Sequence, residues 1–83
     1  MTTYKIQYSD QSMIDNHLKP YEIELSADTD NEINFKFFEW LSNMYDVTWT
    51  MFRLADRKAE ETEVLMMGRK EPIGFVSFEL IPD

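Results

Sequence analysis

Tyr4, Ile6 and Tyr8 alternate with Lys5, Gln7 and Ser9, and Tyr21, Ile23, Leu25 and Ala27 alternate with Glu22, Glu24 and Ser26. A period of two sends successive side chains to opposite faces, so each stretch predicts a strand with one face on a core and the other in water. That half-wet arrangement is typical of antiparallel sheets. Residues 9–20 lose the alternation. Asp10 or Ser12 can cap a short helical turn carrying Met13, Ile14 and Leu18, and Pro20 ends it.

The period then changes. Thr29-Asp30-Asn31-Glu32 fits a capping box, in which the Thr29 hydroxyl takes the Glu32 amide and the Glu32 carboxylate reaches back. Asp28, Asp30 and Glu32 also suit the positive end of a helix dipole. Counting from Ile33 at about 100° per residue, Phe37, Trp40, Leu41 and Met44 share one arc, widened by Phe38 and Tyr45. Lys36, Glu39, Ser42, Asn43 and Asp46 fill the other side. A helix over residues 30–45 follows.

Val47 to Leu54 has the Thr, Trp, Val and Phe content of a strand, with Val47, Trp49 and Met51 on one face and Thr48, Thr50, Phe52 and Leu54 on the other. Residues 56–67 admit two readings. A helix there has a stop in Gly68, but it sets Arg57 and Lys58 at the positive end of its own dipole. A strand over 62–67, turning through Gly68 to Pro72, avoids that conflict and is preferred. The last strand, Ile73 to Ile81, directs Val76, Phe78 and Leu80 inward and Phe75, Ser77 and Glu79 outward. The order β-β-α-β-β-β predicts one α+β domain over 1–83: an antiparallel sheet of four to five strands with one main helix packed on one face.

Composition supports a folded chain. At 83 residues there is room for one core, and 43 % hydrophobic with 14 % aromatic residues supplies large burial per position. Cysteine is absent, which removes disulfides, a thiolate nucleophile and a zinc ribbon, and favours a reducing compartment. Met1 to Lys5 lacks the apolar stretch of a secretion signal, and no apolar run approaches membrane length. The expected setting is the cytoplasm.

Charge narrows the function further. Sixteen Asp and Glu against eight Lys and Arg leave a net charge of −8. Such a field repels nucleic acid and anionic membrane and attracts basic protein surfaces. Chemistry-bearing motifs are absent. His17 is the sole histidine and Gly68 and Gly74 the only glycines, so neither a catalytic relay nor a phosphate-cradling loop can be assembled. Asp28, Asp30, Glu32 and Glu39 have the spacing of a calcium loop, but its sixth position is Ile33 where the tight turn needs glycine. No metal, cofactor or catalytic residue is expected.

Two surfaces remain as candidates. Glu22 and Glu24 project from one strand face about 7 Å apart, close to the interval between phosphates along a nucleic-acid strand, and Asp28, Asp30 and Glu32 continue the negative run. Glu39 adds charge and Phe35, on the polar side of the helix, an aromatic anchor. These seven residues suggest a non-catalytic inhibitor or regulator that occupies a basic, nucleic-acid-binding protein by phosphate mimicry. The alternative is a structural or self-assembling protein, a homodimer among the options, that buries a second apolar sheet face. Five of the eight bases, Arg53, Arg57, Lys58, Arg69 and Lys70, fall in the last third, and two turns are expected to gather them at one end of the sheet.

Overall fold

The first two alternating stretches pair in the computed structural model, which describes residues 1–82. Strand β1 (Thr2–Asp10) runs antiparallel to β2 (Tyr21–Ala27), with Ile6 opposite Ile23 and Tyr4 opposite Leu25, so their apolar halves share a face. On its other side β1 pairs with β5 (Gly74–Ile81), which sets Phe78 beside Ile6 and Val76 beside Tyr8. Strands β3 (Phe52–Leu54) and β4 (Glu61–Met66) complete a five-stranded antiparallel sheet of order β2-β1-β5-β4-β3. The α+β expectation holds, with five strands.

A short helix, α1 (Gln11–Asp15), joins β1 to β2. The Asp10 carboxylate accepts the Met13 amide at 2.7 Å. Met13 is buried, whereas Ile14 and Leu18 face solvent. The main helix, α2 (Asp30–Tyr45), links the two edge strands and therefore has to cross the sheet. Its 16 residues span about 24 Å, against about 19 Å for four interstrand spacings, so helix length matches sheet width. Ile33, Phe37 and Leu41 on its inner side meet Ile6, Tyr8, Val64 and Val76 to form the core.

Half of the capping box forms as expected: Thr29 Oγ1 accepts the Glu32 amide at 3.2 Å. The Glu32 carboxylate returns only to the Thr29 hydroxyl, at 3.5 Å. Thr29→Ala should therefore lower stability by about 1 kcal/mol, read as a lower urea midpoint with an unchanged slope. A change below about 0.3 kcal/mol would assign the helix start to its other ties.

Two expectations need correction. Residues 47–51 are not strand. Asp46 ends α2 in the left-handed conformation (φ 55°), and Trp49–Met51 form a 3-10 turn closed by the Met51 amide on Thr48 O at 3.1 Å. Strand geometry begins only at Phe52, where β4 supplies a partner; strand composition without a neighbour to pair with does not make a strand. The bases also separate. Arg57 and Lys58 lie in the turn before β4, Arg69 and Lys70 in the turn after it. Successive turns of an antiparallel meander sit at opposite ends, here about 20 Å apart along β4. The strand reading of 62–67 itself is borne out by β4.

Candidate functional site

Because α2 covers the face carrying Tyr4, Ile6 and Tyr8, every alternate residue of the sheet is directed to an outer face. The register assigns that face. Glu22 stands in a row with Gln7, Ser77 and Glu61, and Glu24 in a row with Lys5 and Glu79. Glu63 lies beside Phe75. Five carboxylates thus share one surface with two cations, Lys5 and, on the β3 edge, Arg53 beside Leu65. Three strand spacings separate Glu22 from Glu61, about 14 Å, and two residues separate Glu22 from Glu24, about 7 Å.

Lys5 organises part of this face. Its ammonium lies 3.0 Å from Glu22, and Gln7 Nε2 donates to the same carboxylate at 2.7 Å. The Gln7 hydrogen bond, then Lys5, holds the Glu22 carboxyl below its usual range, and Glu22 in turn holds the Lys5 ammonium above its own. Both groups are solvated, so the pair orients Glu22 more than it stabilises the fold. The Glu24 side chain makes no hydrogen bond or ion pair with a described residue. Phe75, 45 % exposed, forms an apolar corner next to Glu63. Beyond it Arg69 and Lys70 line a depression of about 690 Å³, which bounds the acidic area.

The seven residues singled out from sequence do not form one surface. Glu22 and Glu24 are on the outer sheet face. Asp28, Asp30 and Glu32 surround the start of α2, where Asp30 accepts the Tyr4 hydroxyl at 3.1 Å and Glu32 serves the helix cap. Glu39 and Phe35 project from α2 on the opposite side of the molecule. Phe35 is not a free anchor, since its ring meets Trp49 edge-on at 4.8 Å between centroids. Phe52 and Leu54 point inward and are buried, while Trp49 and Met51 lie in the 3-10 turn and add no apolar group to the outer face. Glu61 and Glu63 were missed, although alternation with the buried Thr62 and Val64 identifies them as outward.

The face offers hydrogen-bond acceptors at strand and interstrand intervals, with Gln7 and Ser77 among the carboxylates and no histidine. Among the described residues no group of three or more Asp, Glu or His side chains converges in metal-binding geometry. Among the described residues no helix is long and apolar enough to cross a membrane. These features define a class: an α+β domain with one helix-covered sheet face and one carboxylate-lined sheet face. Compared with known proteins, the chain matches no family model, no curated protein and no solved structure.

Proposed function

We propose that this domain is a non-catalytic inhibitor or regulator that docks its outer sheet face onto a basic, nucleic-acid-binding protein. The observation that carries the reading is the convergence of Glu22, Glu24, Glu61, Glu63 and Glu79 on one face against Lys5 and Arg53. Carboxylates at strand and interstrand intervals present an array of anionic acceptors comparable to a row of phosphates. Such a surface steers encounter with a cationic groove, while Phe75 supplies the apolar contact that slows release. A cysteine-free chain suits a reducing compartment, and the cytoplasm is where we place this activity. Self-assembly through the same face is disfavoured, because a two-fold axis would bring the five carboxylates against their own copies.

The test is capture from host lysate on immobilised wild-type protein and on Glu24→Gln/Glu61→Gln/Glu63→Gln, which leaves the Lys5–Glu22 pair intact. Nucleic-acid-binding proteins should be retained at about 0.05 M salt, released at about 0.5 M, where the screening length falls well below its physiological value, and displaced by duplex DNA. The neutralised variant should retain at most about one tenth as much, with its melting temperature unchanged. Equal retention by both proteins, or retention indifferent to salt, would remove the sheet face from the mechanism.

A further inference from the structure

The start of α2, the β3–β4 turn and the inner sheet face enclose a cleft of about 630 Å³ on the side of the molecule away from the acidic sheet face. That size lies in the range of small-molecule sites. Its apolar walls are Ile33, Phe78 and Leu80, with the Tyr4 ring edge-on to Phe78 at 6.5 Å. Arg57 and Lys58 stand at the rim. The Arg57 guanidinium donates to the neutral Asn31 amide at 3.2 Å, and neither cation has a carboxylate within ion-pair distance among the described residues.

Asn34 is the independent sign of a ligand. Only 9 % of the residue is exposed, yet it lines the cleft. The side-chain hydrogen bonds around it join Tyr4 to Asp30 and Arg57 to Asn31, and none reaches Asn34. Among the described residues no enclosed side-chain nitrogen or oxygen lacks a partner, so the Asn34 amide is reached from the cleft rather than sealed in the core. With no protein partner, the Asn34 amide keeps its donor and acceptor available to whatever occupies the cleft. The α2 N-terminus adds partial positive charge at the same place.

We propose that this cleft binds a small aromatic monocarboxylate. Its ring would lie against Phe78, Leu80 and Ile33, its carboxylate would meet Arg57 and Lys58, and the Asn34 amide would bond to it below the rim. A single negative charge is specified because Asp30 and Glu60 share the rim and the whole protein carries −8, which penalises phosphates and other multiply charged groups. Neither base is in an ion pair among the described residues, so the rim offers cationic partners to an anionic group. This site is independent of the acidic sheet face.

The test is an NMR titration of the full chain with 1-naphthoate, alongside 1-naphthylmethylammonium and 1-naphthalenemethanol as the cationic and neutral forms of the same ring. Naphthoate should shift the Asn34 side-chain amide and the Arg57 Nε–H together in a saturable manner. Arg57→Gln/Lys58→Gln, both exposed positions, should weaken it about tenfold, the equivalent of one charge-assisted hydrogen bond. Absence of a shift at Asn34, equal shifts from all three compounds, or an undiminished affinity in the double variant would each overturn the proposal. Lysate capture by the sheet face is unaffected by any of these results.

Discussion

Phe37→Ala is expected to leave the chain largely unfolded at room temperature. Phe37 is 0 % exposed and sits under the middle of α2. Its ring meets Tyr8 at 5.9 Å, Phe78 at 5.8 Å, Trp40 at 6.1 Å and Phe38 at 6.0 Å. It therefore links helix to sheet and joins most of the aromatic side chains into one cluster. Removing a buried phenyl ring costs about 3–5 kcal/mol, the lost transfer energy plus the cavity left behind. A domain of this size without disulfide or metal holds about 3–5 kcal/mol in total. The two magnitudes are equal, so the variant should show a urea transition with little or no folded baseline by far-ultraviolet circular dichroism. Phe75→Ala removes the same group from the outer face and should cost less than about 1 kcal/mol. If Phe37→Ala kept an unfolding free energy within about 1.5 kcal/mol of wild type, the core would not be organised around that ring.

What the sequence disclosed depended on whether a segment's surroundings are local. Strands β1 and β2 and helix α2 each have one wet and one dry side, so period alone identifies them, and Thr29 marks the start of α2 within a residue. Val47 to Met51 has strand-forming side chains, but its conformation is decided by the left-handed turn at Asp46 and the packing of Trp49 on Phe35. Neither is encoded within the segment. Strand order is non-local throughout: β5 inserts between β1 and β4, and only that insertion brings Glu61 and Glu79 into line with Glu22 and Glu24. The outward direction of Glu79 could be read from its strand, but its neighbours could not. Glu39 and Phe35 were grouped with the acidic strand by charge and exposure alone, and the crossing of α2 over the sheet sends them to the far side. Asn34 carried no signal, because a polar residue next to Ile33 reads as a helix flank until the fold sets it in a cleft with Arg57 and Leu80.

Gly74→Ala should also be strongly destabilising, and here even the sign is informative. Glycine within a strand normally costs about 0.5–1 kcal/mol relative to alanine, through chain entropy and missing side-chain contact, so the generic expectation is a gain. Gly74 lies opposite Asp10 in the β1–β5 ladder and is buried. A Cβ there would overlap the Ser9 carbonyl oxygen, approach the Tyr8 hydroxyl to 2.7 Å and the Asp10 Cα to 2.9 Å. Two of the three obstacles are backbone of β1, which cannot retreat without opening the ladder and moving the cap that Asp10 makes on α1. The third is held in place by Tyr45, whose hydroxyl is 2.6 Å from that of Tyr8. Overpacking of this kind costs about 1–3 kcal/mol and more where backbone is the obstacle, which exceeds the entropic gain. Since 1 kcal/mol moves the melting temperature of such a domain by about 4–8 °C, Gly74→Ala should lower it by about 10 °C. Adding Tyr8→Phe clears only the hydroxyl, so the double variant should recover part of the loss, and the thermodynamic cycle should show a favourable coupling. A melting temperature equal to or above wild type in Gly74→Ala would mean that β1 and β5 separate at this end without cost, and that the close approach is not what holds the two strands in register.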